Sequence, residues 1–292
     1  MNSQPPPPAL DKRRVAESFD RAAQSYERHD FLQREVATRA LERLDYVAVQ
    51  PAAILDIGSG TGRCARALAT RYKRAQVVQC DLALGMLTQA RHHERRFFSR
   101  QVFVAGDVEH LPFANGIFQL AFSSLALQWC QDLRAAFSEV RRSLTLGGLF
   151  MFTTLGPDTL RELRKAWASV SSAPHVNQFL DMHDIGDTLV AAGFGDPVME
   201  TEYLTVPYDD VMTLMRDLKG IGASNSHSAR ARGMFGRRSL TALQAAYESE
   251  RGADGKLPAT YEVIYGHAWA IESRRREPQE VHTFPLEKLR RR

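Results

Sequence analysis

The chain lacks the features that would send it into or across a membrane. No segment approaches the roughly eighteen consecutive apolar residues of a membrane-spanning helix. The opening stretch MNSQPPPPALDKRR has neither the apolar centre of a secretory signal nor the arginine-rich amphipathic pattern of a transit peptide, so a cytoplasmic protein without membrane attachment is expected. Cysteine is scarce. Cys64, Cys80 and Cys130 form no CxxC pair, which argues against disulfides and structural zinc and fits a reducing compartment. A strong charge imbalance is also missing: the net charge is +4, and the basic runs RHHERR (91–96) and SRRRE (273–277) read as solvated faces, with no nucleic-acid partner expected.

What is present is enough apolar residue, 44% of 292, to bury a large core in one domain. A flexible head at 1–10 and a flexible basic tail at 272–292 are expected to flank a domain at 11–271. Short apolar or β-branched runs at 52–58, 75–82, 101–107, 118–127 and 148–155 alternate with helix-like stretches. In TGRCARALATRY, for example, Ala65, Leu68, Ala69 and Tyr72 fall at i, i+3, i+4 and i+7. LALGMLTQARHH and DLRAAFSEVRRSL read the same way, the latter stopped by the LGG at 146–148. Strands joined by helix-length crossovers predict a parallel α/β sheet covered on both faces. Two further strands are predicted at 197–206 and 259–271; the fifty or so residues between them far exceed a hairpin and predict an inserted helical cap at about 207–257, with Gly220 and Gly222 as hinges.

The stretch ILDIGSGTGR (54–63) places Gly58, Gly60 and Gly62 just past the first strand, where an open parallel sheet gathers its ligand. Glycine there lets a ligand lie on bare backbone at a helix N-terminus. The spacing departs from the dinucleotide fingerprint and Asp56 precedes it; an acid would repel a pyrophosphate and welcome an amino group or a sulfonium. Asp81 ends the second strand run, where it can accept ribose hydroxyls, and Asp107 ends the third, where it can take an exocyclic amine of adenine. Each acid alone could be a helix cap. Three at successive strand ends are hard to explain that way.

With LDIGSGTG, Asp81 and GDVEHLPF, residues 50–155 resemble the class I S-adenosylmethionine-dependent methyltransferases. The resemblance implies a Rossmann-like, seven-stranded, mostly parallel sheet with its last strand antiparallel, and S-adenosylmethionine as methyl donor. It places Asp56, Ser59 and the Gly58–Gly62 loop at the methionine part, Asp81 at the ribose, and Asp107 with Val108 at the adenine. Leu82, Met86 and Leu125 would line the same site. Tyr26, in SYERH, would close over the cofactor near the methyl, although Phe19, Ala22, Ala23 and Tyr26 could equally form a core face.

Over nearly the whole chain, FDRAAQSYERH, LALQW, FTTL and LKGIGA resemble the malonyl-[acyl-carrier protein] O-methyltransferases of biotin synthesis. That implies methylation of the free carboxylate of malonyl-acyl carrier protein, an acidic protein substrate. A carboxylate is already ionised near neutral pH, so no catalytic base is expected and positioning does the work. Gln128 and Trp129 are expected at the acceptor, His175 is a candidate contact, and Arg216 with Lys219 is expected to hold the malonyl carboxylate, on a helix starting near Asp209 that buries Met212, Met215 and Leu218. Arg230, Arg232, Arg237 and Arg238 are candidate docking residues for the carrier. A second family, the methyltransferase-like arginine hydroxylases that assist respiratory complex I assembly, is similar in DTLRELR, DLKGIG and LPATYEVIYGHAW; the glutamine of LQW and the arginine at 216 stand against it. A cofactor-binding scaffold without an acceptor site is the third reading.

Overall fold

A computed structural model describes residues 10–94, 100–171, 173, 175–223 and 236–272, with the backbone alone at 237. The expected flexible head and tail therefore lie outside the described residues except at their inner ends. Seven strands form one sheet in the order β3-β2-β1-β4-β5-β7-β6: β1 Ala53–Ile57, β2 Gln76–Asp81, β3 Gln101–Ala105, β4 Phe118–Ser124, β5 Leu144–Leu155, β6 Phe194–Tyr208 and β7 Leu257–Ala270. The first five pair in parallel, and β7 is antiparallel to both β5 and β6. This is the fold class that the sequence implied. The order reverses at β1, between β2 and β4, which opens a crevice at the carboxyl ends of these strands.

The strands sort their side chains by alternation. Ile54 of β1, Leu149 and Met151 of β5 and Val263 of β7 face one layer, while Leu55, Phe150, Phe152 and Ile264 face the other. The first layer holds α2 (Phe31–Arg43), α3 (Arg63–Arg71), α6 (Arg161–Ala168), α8 (Val211–Gly220) and α9 (Arg237–Glu248). The second holds α5 (Leu133–Ser143) and α7 (Met182–Ala191), with Phe137 edge-on to Phe150 and tilted against Phe152. Truncating Phe137, which is fully buried, would cost about 3 to 5 kcal/mol. α4 (Leu84–His92) packs against α1 (Lys12–Ala22), burying Met86 and Ala23 in a small separate cluster.

Local chemistry sets the helix starts. Asp11, Asp132 and Asp210 each turn a carboxylate onto a first-turn N–H of α1, α5 and α8. One expectation fails: Leu146-Gly147-Gly148 does not stop α5. The helix ends at Ser143 and the backbone turns extended at Leu144, so the glycines fall inside β5, where the register with β4 slips and Gly147 adopts φ +73°. Between β6 and β7 stand α8 and α9, with 224–235 outside the described residues.

Candidate active site

The glycine loop is pinned by backbone hydrogen bonds before any ligand is considered. Gly58 N–H donates to the Cys80 carbonyl (2.8 Å) and Gly60 N–H to Asp81 Oδ2 (2.8 Å), both with positive φ. A Cβ on Gly58 would collide with Ala126, whereas at Gly60 nothing lies within 4 Å, because that residue faces a cavity of about 760 Å³. Asp81 and Asp107 line it, and Leu82, Met86 and Val108 supply its apolar surface. Gly62 is absent from this lining, and a Cβ there would meet Gln79 and Ala90, so its φ of +81° serves close packing of the loop against β2 and α4.

Asp56 is buried and lines an adjoining cavity of about 430 Å³ together with Ser59 and Tyr26. Its carboxylate accepts the Ala65 N–H, but Oδ2 has no hydrogen-bond partner among the described residues. Burial, and secondarily the charge on Asp81, push Asp56 up to about 8. Asp81 is itself pushed up to about 6 by burial, although Ala83 and Gly60 N–H groups donate to it. Two acids held this reluctantly in their charged forms favour a ligand that brings a cation and hydroxyl donors.

Asp107 is already engaged. Lys12 of α1 lies 2.5 Å from its Oδ2 and 2.7 Å from Glu109, while the Glu109 N–H donates to Asp107 Oδ1. At the other end of the helix the Gly85 N–H donates to Asp20 Oδ1 (2.7 Å). α1 is thus strapped along the cavity at both ends, and Lys12, Val15 and Phe19 line it.

A second cavity of about 780 Å³ abuts the first, and Phe19, Tyr26, Leu125 and Trp129 line both. Phe19 meets Trp129 edge-on at 5.3 Å. Leu125 holds φ +51°, its N–H fixed by the Thr153 carbonyl and hydroxyl. The backbone strain puts a non-glycine side chain where the two cavities meet. Gln128 donates from Nε2 to the Leu125 carbonyl (2.6 Å), and its buried Oε1, like that of Gln33, has no hydrogen-bond partner among the described residues. His175 lines this cavity stacked on Trp167 at 4.0 Å, and burial lowers its pKa.

The comparisons agree with one another. A methyltransferase domain model matches residues 55–152. A malonyl-[acyl-carrier protein] O-methyltransferase from Methylovorus sp. (strain MP688) is 53% identical over 91% of this chain and 91% of its own, and one from Gallionella capsiferriformans (strain ES-2) is 50% identical over 89% and 91%. The chain belongs to the malonyl-[acyl-carrier protein] O-methyltransferase family. Among solved structures, the YcgJ protein from Bacillus subtilis superposes with a TM-score of 0.59 at 16% identity, over 80% of this chain and 99% of that one. The phosphoethanolamine N-methyltransferase 2 of Haemonchus contortus, in complex with S-adenosyl-L-methionine, gives 0.54 at 18% identity, over 87% of this chain and 57% of that one. These two share the fold. The relatives are methyltransferases by name, not arginine hydroxylases.

The burial of α8 differs from the pattern expected from the sequence. The helix begins at Val211 and fully buries Val211 and Leu214, with Met212, Met215 and Leu218 only partly buried. Arg216 and Lys219 consequently point outward, exposed, and line neither cavity. Asp217 between them accepts from His29 Nδ1 at 2.8 Å in the protonated-nitrogen tautomer, and a Cβ on Gly220 would strike the His29 ring, tying α8 to the turn at Tyr26–Arg28. Arg230 and Arg232 lie outside the described residues, as does the Arg237 side chain; Arg238 is exposed on α9. Sequence reasoning missed Lys12, Gln33 and Arg63. Only Arg63, directly after the glycine motif, carried a local sign. Among the described residues no helix is long and apolar enough to cross a membrane, and no cluster of three or more His, Cys, Asp or Glu could hold a metal.

Proposed function

We propose that the protein transfers a methyl group from S-adenosylmethionine to the free carboxylate of malonyl-acyl carrier protein, giving the methyl ester early in biotin synthesis. The observation that carries this reading is the shared wall: Phe19, Tyr26, Leu125 and Trp129 line two adjoining cavities, one also lined by Asp81 and Asp107 and one without a carboxylate lining among the described residues. The names of the family members and the S-adenosylmethionine-bound relative support the choice of donor and acceptor.

The residues present fit the cofactor. Asp56, with its unpartnered Oδ2, suits an ammonium; Asp81 has lone pairs to spare for ribose hydroxyls after accepting Gly60 and Ala83; Gly60 offers bare backbone. When bound, S-adenosylmethionine supplies an electrophilic methyl on a sulfonium. Tyr26, lining all three cavities, and Trp129 present electron-rich rings at the junction, which stabilise positive charge there and exclude water. Tyr26 is not a base: burial drives its hydroxyl well above the ordinary tyrosine range.

No catalytic base is required, because the malonyl carboxylate is ionised near pH 7. Orientation of that carboxylate against the shared wall supplies the rate. Among the described residues no lysine or arginine lines the acceptor cavity, so the Nε2–H groups of Gln33 and Gln128 are assigned to hold the carboxylate, Gln128 with the hydrogen that its bond to the Leu125 carbonyl leaves over. Neutral donors leave more charge on the attacking oxygen than a guanidinium would. Arg216 and Lys219, outside the cavity, are assigned instead to docking the acidic carrier. Methyl incorporation into malonyl carrier protein is the test.

A further inference from the structure

The methionine-end cavity has two poles. One is Asp56, buried with an unpartnered oxygen; the other is Arg63, which among the described residues is the one lysine or arginine in that lining. Arg63 is the first residue of α3, whose N-cap, Gly62, provides no side-chain capping hydrogen bond. Its Nη2 donates to Asp30 Oδ2 at 2.7 Å, and Asp30 is 2% exposed. That bond uses one of five guanidinium donors and ties Arg63 to a second acid of the same lining, leaving four donors for a ligand. Glu27, which accepts from the Thr61 hydroxyl at 2.9 Å, ties the same segment to the loop a second time.

We infer that Arg63 receives the α-carboxylate of the cofactor's methionine end, opposite Asp56, and thereby makes the site selective for a zwitterionic amino acid. The inference rests on S-adenosylmethionine being the cofactor. A pole of each sign across one small cavity matches an ammonium and a carboxylate on a single carbon, and a planar fork holds a carboxylate more specifically than a point charge does. A ligand that lacks the carboxylate gains nothing from Arg63.

The experiment compares two ligands in calorimetry: S-adenosylhomocysteine, and S-adenosyl-3-thiopropylamine, which lacks only the carboxylate. Arg63→Ala is expected to weaken the first by at least about ten-fold and the second by less than about three-fold, with Arg63→Lys intermediate for the first alone. Removing Arg63 leaves the buried Asp30 charge uncompensated, so the pair Arg63→Ala with Asp30→Asn is measured beside it and is expected to show the same selectivity. Equal losses for both ligands, or none for either, overturn the Arg63 assignment. A wild-type protein that binds neither ligand overturns the cofactor reading itself.

Discussion

The ammonium of Lys12 lies 2.5 Å from the carboxylate of Asp107, a bond between the first turn of α1 and the strand end 95 residues away that should bind adenine. Lys12 also reaches Glu109, and both carboxylates raise its pKa against the opposing effect of burial. The pair fixes the position of Asp107 and holds α1 along the cofactor cavity.

Lys12→Met is therefore expected to speed cofactor release and weaken S-adenosylhomocysteine binding by roughly 0.5 to 1.5 kcal/mol, the range for a partly exposed charged pair. Because Trp129 lines the cavity, its fluorescence in a stopped-flow experiment reports the off-rate. An unchanged off-rate would show that α1 is held by its apolar contacts alone.

Asp56 yields a pH dependence with a definite sign. Folding favours its acid form, so the native protein keeps a proton up to about pH 8 that the unfolded chain releases near pH 4. Stability without ligand is thus lost as pH rises from about 4 to about 8. Asp56→Asn is expected to stabilise the ligand-free fold by up to roughly 1 to 3 kcal/mol, read as a higher Tm, and more at pH 8 than at pH 5. At pH 7 the wild type is expected to release a proton on binding S-adenosylhomocysteine, visible as a binding enthalpy that varies with the buffer's ionisation enthalpy; the Asp56→Asn change abolishes that variation and weakens binding. A proton count of zero in the wild type would exclude Asp56 as the ammonium partner.

The acceptor assignments separate by carrier. Gln128→Leu is expected to lower kcat/KM about ten-fold or more whether malonyl is presented on carrier protein or on coenzyme A, because the amide acts on the malonyl group itself. Arg216→Ala with Lys219→Ala is expected to lower it only for the carrier protein, and only at low ionic strength, where exposed charges steer association. If the arginine and lysine changes hurt both carriers equally, the malonyl carboxylate is held by α8 after all.

Much of this was readable in the sequence because it is written locally. Strand ends, the acids upon them and the glycines between them lie within a few residues of one another, and periodicity separates strand from helix. The direction of α8 was not readable, since its apolar residues make two overlapping stripes: Val211, Leu214 and Leu218 on one, Met212 and Met215 beside it. Only the packing against β6 selects the first, which leaves Arg216 about 140° around from Val211. Lys12 and Gln33 were invisible for another reason. Their roles depend on contacts made across the fold, and no local pattern marks a lysine that will meet an acid on a distant strand. The Leu146-Gly147-Gly148 stretch misled because glycine serves both as a helix stop and as a bulge, and the choice was made by the neighbouring strand.

The account turns on methyl transfer across the wall of Phe19, Tyr26, Leu125 and Trp129. Its most direct measurement is mass spectrometry of malonyl carrier protein incubated with the enzyme and methyl-labelled S-adenosylmethionine, beside an Asp81→Ala variant. The account predicts a carrier protein heavier by one labelled methyl group, removable by ester hydrolysis, with the variant weakened in cofactor binding by roughly 1.5 to 3 kcal/mol. An unmodified malonyl group in the presence of bound cofactor would contradict it.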